Sequence, residues 1–98
     1  MKISELLDKN SIIANLESTE KAGVIQELSS AVQAVTNANA DEIAHVLMGR
    51  EELGSTGIGG GIAIPHGKLG QVEDIVVGFG LSTKGVEYDS LDNKPVHI

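Results

Sequence analysis

Residues 57–68 constrain this chain most, because a glycine-rich run leads into a short apolar segment that ends in Pro-His-Gly. Residues 62–64, Ile-Ala-Ile, have the composition of a brief buried strand. Pro65 cannot donate to a sheet ladder and is expected to end that strand. His66 is therefore predicted at the carboxyl end of a strand, where open α/β sheets place ligands. Gly67 permits a sharp turn or a close approach to a ligand.

A histidine in that position has two interpretations. An imidazole is largely uncharged near neutral pH and can act as a nucleophile that accepts a transferred group. Alternatively, His66 is a structural histidine at the end of a strand. The residues alone favour the functional interpretation of His66 and leave the structural one open.

Length and charge bound the class of protein. Ninety-eight residues allow one small domain. The formal net charge of −7 argues against nucleic-acid binding, which uses basic patches, and favours attraction of a basic partner. The chain has one Tyr, one Phe and no Trp, so we expect an aliphatic core. It has no cysteine, which excludes disulfides and thiolate metal sites.

Targeting signals are missing from the sequence pattern. No apolar run approaches the roughly 20 residues of a membrane-spanning helix. The first residues, Met-Lys-Ile-Ser-Glu, lack the apolar centre of a signal peptide. These patterns predict a cytoplasmic protein without membrane insertion.

The first half of the chain has helical and strand patterns. Ile3, Leu6 and Leu7 have the spacing of a short first helix, and residues 12–16 that of a short strand. Ser18 or Thr19 is predicted to cap a longer helix. Its apolar face is expected to consist of Ile25, Leu28, Val32 and Val35.

A second long helix is predicted to begin at Asn39, which forms a capping-box pattern with Glu42. Arg50 shares the apolar face of this helix, so it either extends to water or points into a polar site. Glu51 and Glu52 are expected on the solvated side. The predicted buried stripe consists of Ile43, Val46, Leu47 and Leu53.

The polar groups that follow this helix leave alternatives open. The hydroxyls of Ser55 and Thr56 can bond the local backbone or a phosphate. Residues 75–81 are apolar on both faces and predict a central strand. Residues 86–91 predict an edge segment, and residues 96–98 the start of a further strand. Helices that alternate with strands indicate an α/β layer structure.

Several other sites are excluded by spacing. Gly57 and Gly59 begin a dinucleotide-binding pattern, but Ile62 stands where its third glycine belongs. The phosphate-binding P-loop and the G-x-S-x-G nucleophile elbow are also absent. His45, His66 and His97 do not have zinc-ligand spacing, so no metal is predicted.

A family resemblance emerges from the order of these residues. Glu51, six further residues, Ile58-Gly59 and then residues 62–67 resemble the phosphohistidine signature of enzyme IIA domains of the fructose and mannitol class. These domains belong to the bacterial phosphoenolpyruvate-dependent phosphotransferase system. Residues 49–59 and 91–96 are similar to its nitrogen-regulatory branch. The resemblance spans the whole chain.

The resemblance implies a fold. It is an α/β fold with a single-layer mixed sheet flanked by helices on both faces, truncated before its final strands and helix. Residues 1–98 would then form a single type-2 enzyme IIA domain that is incomplete at its C-terminal end. An unfinished sheet would expose apolar surface through which the chain self-associates.

The resemblance also implies a site. His66 would be the phosphorylated nucleophile, and Arg50 would stabilise the phosphoryl group with its planar fork. Ser55, Thr56, Gly67 and Lys68 would support the phosphate, with no cofactor or metal. The second histidine that the family uses near the site has no match among these residues.

Two functions follow from the resemblance. In the first, the chain accepts a phosphoryl group from an HPr-type phosphocarrier protein and passes it on in sugar transport, for example to a permease IIB domain. In the second, it is a regulatory binding module whose phosphorylation state controls partner proteins without onward transfer to sugar. The nitrogen-regulatory features favour that branch of the family.

Overall fold

A computed structural model describes residues 7–36, 38–69 and 77–98 of the chain. Two helices and four short strands occur in these residues. They are β1 (Leu7–Ile13), α1 (Lys21–Gln33), α2 (Ala40–Glu52), β2 (Gly57–Gly59), β3 (Ile62–Ala63) and β4 (Val77–Gly80). The predicted α/β fold is confirmed.

The strands form two separate pairs within the described residues. β1 and β4 run parallel, with Ile12 opposite Phe79. The buried Ser11 hydroxyl donates to the Val77 carbonyl at 2.9 Å and ties the two strands together. β2 and β3 form an antiparallel hairpin. The sheet expected from the sequence is present here as these two pairs.

The helices begin and end close to their predicted positions. The Asn39 side chain accepts from the Asp41 N–H at 2.8 Å, which confirms the predicted cap of α2. The prediction for α1 was wrong: Glu20 is the N-cap residue and makes no side-chain cap bond. Ser18 and Thr19 lie before that position. Helix α1 packs against α2, β1 and β4.

The core lies between α1, α2 and the C-terminal segment. Its buried members are Leu16, Val24, Ile25, Ala44, Val86, Tyr88 and Val96. Tyr88, the only tyrosine of the chain, is 2% exposed and joins an otherwise aliphatic cluster. Val86 pairs with Val96 through two backbone hydrogen bonds, which holds residues 96–98 in place.

Three predictions of element or burial were wrong. Ile62 and Ile64 are 38% and 52% exposed, so the predicted buried strand is an exposed arm of a two-stranded hairpin. Leu53, predicted as part of the buried stripe of α2, is the C-cap residue of that helix and is 84% exposed. Leu7, assigned to a first helix, begins β1. Hydrophobic spacing alone did not distinguish these positions, because it records periodicity and not what covers each side chain.

Some predictions lie outside the described residues. These are the remainder of the predicted first helix, including Ile3 and Leu6, and the first part of the predicted strand over residues 75–81. The described part of that strand is β4, in which Phe79 is 39% exposed. No helix in residues 7–36, 38–69 and 77–98 has the length and apolar character needed to cross a membrane.

Candidate functional site

His66 lies beyond the end of the β2–β3 hairpin and is exposed. Its Nδ1 is 2.8 Å from the Ile64 carbonyl oxygen. A carbonyl can only accept, so Nδ1 carries the ring proton. The lone pair of the neutral ring is therefore on Nε2, the nitrogen that can attack an incoming group. This contact fixes both the orientation of the imidazole and its tautomer.

Gly67 brings the backbone after His66 against helix α2. A Cβ atom built at Gly67 would lie 2.5 Å from Cγ1 of Val46. Real Cβ contacts do not come this close, so with any larger residue either the Val46 side chain or the loop would have to shift. The need for glycine next to His66 is thus a packing requirement. Lys68 follows on the exposed side.

Arg50 lies in the last turn of α2, where a cation suits the helix dipole. Its Nη1 donates to the Gly54 carbonyl at 2.9 Å. This bond closes the turn that follows the helix and uses one of the five guanidinium donors. The remaining donors are those that a phosphoryl group would use, and the placement of Arg50 beside that group stays a prediction.

Ser55 and Thr56 have partners inside the protein. The Ser55 hydroxyl donates to the Tyr88 carbonyl at 3.2 Å and accepts from the Gly57 N–H at 3.1 Å. Thr56 is 3% exposed, and its hydroxyl donates to the Glu51 carboxylate. Both hydroxyls therefore hold the loop between α2 and β2, and a contact of either with phosphate stays a prediction.

Glu51 was predicted to be solvated, and that prediction was wrong. The residue is 7% exposed, and its carboxylate accepts the Thr56 N–H at 3.0 Å as well as the Thr56 hydroxyl. Lys21 Nζ lies 3.2 Å from the same carboxylate. Burial raises the pKa of Glu51, but the hydrogen bonds from Thr56 and the neighbouring Lys21 together outweigh it and leave that pKa below its usual value.

Tyr88 completes this buried group. Its hydroxyl lies 3.1 Å from the Thr56 hydroxyl. Because the Thr56 proton is donated to Glu51, the phenol supplies the proton of this second bond. Lys21 Nζ is 4.7 Å from the centre of the Tyr88 ring, a cation–π distance. Burial, reinforced by the Glu51 charge and opposed by the hydrogen bond with Thr56, raises the pKa of Tyr88 to about 12.

The loop after α2 and the segment that carries His66 are linked through backbone hydrogen bonds. The Ile64 N–H donates to the Thr56 carbonyl at 3.0 Å, and the Ile64 carbonyl accepts from His66. Thr56, which is bonded to Glu51, is thus one hydrogen bond away from Ile64, whose carbonyl orients the imidazole. These bonds link the segments that carry two of the predicted site residues, Thr56 and His66.

A cavity of about 720 Å³ lies beside His66. Apolar side chains from α1, α2 and β4, among them Leu28, Leu47 and Phe79, line most of it. His66, Lys68 and His97 also border it. His97 Nδ1 is 2.8 Å from the Ser82 carbonyl, so this ring is tied to the segment that follows β4. Within the described ranges, no three His, Cys, Asp or Glu side chains are grouped as metal ligands.

Sequence reasoning missed Glu51, Lys21 and Tyr88 as one group. The available signal was that Glu51 opens the phosphohistidine signature at a fixed distance from His66. Spacing on the helix placed Glu51 on the polar face, and only the return of the loop after α2 covers it. Lys21 and Tyr88 carry no motif, and the fold alone brings them to Glu51.

Comparison with known proteins places these residues in a family context. Residues 5–98 match the family described as "Phosphoenolpyruvate-dependent sugar phosphotransferase system, EIIA 2". The chain is 45% identical over 100 residues to the PTS system fructose-specific EIIABC component of Bacillus subtilis. It is 35% identical over 98 residues to a nitrogen regulatory protein of Bradyrhizobium diazoefficiens. All of this chain is aligned in both cases.

A solved structure shares the fold. The crystal structure of nitrogen regulatory protein IIA-Ntr from Neisseria meningitidis matches with a TM-score of 0.90 and 32% identity over 97% of this chain. The chain spans 65% of that structure, 64% of the Bradyrhizobium protein and 16% of the Bacillus protein.

Proposed function

Because this chain belongs to the EIIA 2 family of the phosphoenolpyruvate-dependent sugar phosphotransferase system, we propose that it is a phosphoryl carrier that is phosphorylated on His66. The donor is a phosphohistidine protein of the HPr type. The observation that supports His66 most directly is its exposed ring, whose Nδ1 proton is held by the Ile64 carbonyl. This leaves Nε2 as the nucleophile.

The chemistry is a transfer between two imidazoles. Nε2 of His66 attacks the phosphorus, the N–P bond of the donor breaks, and its electron pair returns to the donor ring. The product is a phosphoramidate on His66 that keeps its proton on Nδ1. The bond from Nδ1 to the Ile64 carbonyl then stabilises the positive charge that the ring gains. The transition state is loose, so correct placement of the groups supplies most of the catalysis.

The phosphoryl oxygens need donors that are already in position. We assign this role to the free N–H groups of Arg50, to Lys68 and to the backbone around Gly67. Ser55 and Thr56 support the site by holding the loop that carries the Gly54 carbonyl, to which Arg50 is bonded. A negative chain with a cationic site would attract a basic donor over its wider surface.

Onward transfer has two candidate routes. The fructose-specific relative, at 45% identity, favours transfer to a permease IIB domain. The nitrogen regulatory relatives, with the structural match to IIA-Ntr, favour a module whose phosphorylation state controls a partner protein. We propose the carrier step as common to both and the regulatory role as the second candidate.

Phosphorylation in a reconstituted system tests the common step. The product of the native gene is incubated with labelled phosphoenolpyruvate, enzyme I and an HPr-type protein. Acid-labile label is expected on the wild type and lost in His66→Ala, while His45→Ala, a matched change of an exposed histidine, keeps it. An unlabelled wild type would refute the proposal. Restoration of fructose uptake in a strain that lacks its own EIIA then separates relay from regulation.

A further inference from the structure

A buried cluster of Lys21, Glu51, Thr56 and Tyr88 lies behind the candidate site. Its members come from α1, from α2, from the loop after α2 and from the C-terminal segment. The Glu51 side chain is 2% exposed and that of Lys21 14% exposed, so the ion pair is largely removed from water. A buried pair of this kind contributes little net stability compared with apolar side chains of similar size.

Glu51 stands at a helix end where a carboxylate is unfavourable. It lies in the last turn of α2, just before the final residue Glu52, next to the negative end of the helix dipole. Its two oxygens compensate by accepting the N–H and the hydroxyl of Thr56 and by facing Lys21. The carboxylate therefore fixes Thr56 at two points, and every hydrogen bond of the Thr56 side chain stays within the cluster.

Thr56 connects the cluster to both halves of the site. On one side, the turn it closes contains Gly54, whose carbonyl holds the Arg50 guanidinium at 2.9 Å. On the other side, the Thr56 carbonyl accepts from Ile64, whose own carbonyl accepts from Nδ1 of His66. A shift of Thr56 would thus move the Arg50 guanidinium and rotate the His66 imidazole together.

The geometry points to Glu51, with Lys21 and Tyr88, as a positioning group for the reaction proposed above: through Thr56 it sets the tautomer of His66 and the place of Arg50. Glu51 itself does not touch the phosphoryl group. This inference rests on the proposed phosphorylation of His66 for its kinetic consequence. The effect of Glu51 on the tautomer of His66 requires no phosphoryl donor and is independent of that function.

The first test measures the His66 tautomer by ¹⁵N NMR in the product of the native gene without any donor. Glu51→Gln keeps the size of the side chain but removes the charge that orders Thr56. The population with the proton on Nδ1 of His66 is expected to fall, while Glu52→Gln, a neighbouring exposed glutamate, leaves it unchanged. An unaltered tautomer in a folded Glu51→Gln protein would overturn the inference.

The second test separates positioning from a general loss of structure. Phosphoryl transfer from the HPr-type donor is expected to slow by roughly tenfold to a hundredfold in Glu51→Gln, with the KM for the donor unchanged. Glu51 acts partly through Arg50. In a protein that already carries Arg50→Ala, Glu51→Gln should therefore slow transfer by a smaller factor than it does in the wild type. Full additivity of the two losses, or a change in KM alone, contradicts the inference.

Milder variants cover the case in which Glu51→Gln does not fold. Tyr88→Phe removes only the phenol that donates to Thr56 and should shift the tautomer in the same direction by a smaller amount. Lys21→Arg keeps the charge and should retain transfer, whereas Lys21→Met should not. Wild-type tautomer and transfer in Tyr88→Phe and Lys21→Met would overturn the inference. A wild type without label refutes the proposed function but leaves the NMR test intact.

Discussion

At the scale of single residues, the environment of Glu51 determines what its carboxylate does. Removing it from water raises its free energy, and the helix dipole opposes its charge as well. Three partners, two on Thr56 and one on Lys21, reverse the balance, so the ionised form is favoured in the folded state. The same carboxylate one position further along, in Glu52, is exposed.

Glu51→Gln should lower the free energy of unfolding by about 2 kcal/mol, because it leaves the Lys21 ammonium facing a neutral amide. Glu52→Gln should change that free energy by less than about 0.5 kcal/mol. Urea unfolding followed by circular dichroism measures both. Equal losses for the two variants would mean that leaving Lys21 without its carboxylate costs no more than removing a surface charge.

The same carboxylate predicts a pH dependence. The pKa of Glu51 in the folded protein lies below its ordinary value of 4.5, so ionisation stabilises the folded state above that value. This contribution is lost as pH falls through the lowered pKa. The difference in unfolding free energy between wild type and Glu51→Gln should be constant above about pH 5.5 and shrink below about pH 4.5. A difference that is larger at pH 3 than at pH 6 contradicts this assignment.

Prediction from sequence succeeded for single residues whose structure depends on their immediate sequence neighbours. The Pro-His-Gly order predicted His66 at the carboxyl end of a strand, and in the structure it follows β3, which ends at Ala63. The Asn39 cap could be predicted for the same reason. The burial of Glu51 was not, because it depends on Thr56 folding back and on Lys21 arriving from another helix.

At the scale of elements, the β2–β3 hairpin determines where His66 emerges. Gly59, Gly60 and Gly61 all have positive φ, at 98°, 66° and 79°. Asp92 accepts the Gly60 N–H at 3.1 Å and the Lys94 N–H at 3.1 Å. These backbone hydrogen bonds hold the pKa of Asp92 below its usual value. The hairpin turn is thereby bound to the C-terminal segment.

A pair of glycine substitutions tests the requirement for positive φ. A Cβ at Gly60 or at Gly49 would meet no atom within 4 Å, so the two sites differ in backbone conformation and not in space. Gly60→Ala should destabilise the protein by about 1 kcal/mol, because its φ is left-handed. Gly49→Ala, inside α2, should stabilise it by about 0.5–1 kcal/mol. Thermal unfolding of both variants measures this, and a stabilised Gly60→Ala would show that the turn conformation is wrong.

Elements were predictable in type more than in burial. The helical periods located α1 and α2, and β4 falls within the predicted strand of residues 75–81. The segment over residues 62–64 was judged buried from its composition, yet its isoleucines are largely exposed. Composition says that a segment favours burial, but its neighbours in space decide whether it is buried.

At the scale of the whole molecule, apolar surface remains uncovered. Ile12 and Phe79 face each other in the register of the β1–β4 pair and are 42% and 39% exposed. The cavity of about 720 Å³ lies on the apolar side of α1 and α2. Exposed apolar patches of this kind mark surfaces that bind other chains. The self-association predicted from the sequence remains a prediction.

Sedimentation velocity tests self-association. The chain of residues 1–98 should sediment as a mixture whose mean mass rises with concentration. Ile12→Lys should shift it towards monomer, since a charge on this face opposes pairing. Added salt should not weaken an apolar contact, in contrast to an ionic one. A mean mass that stays that of the monomer at every concentration would show that this face does not pair with a second copy.

We propose that His66 carries phosphate on Nε2, the nitrogen that the Ile64 carbonyl leaves free. The direct measurement is the site of attachment, by ³¹P and ¹⁵N NMR of the protein phosphorylated through enzyme I and the HPr-type donor. We expect a phosphoramidate on Nε2 of His66, with the proton kept on Nδ1. Phosphate on Nδ1, or on any residue other than His66, would contradict it.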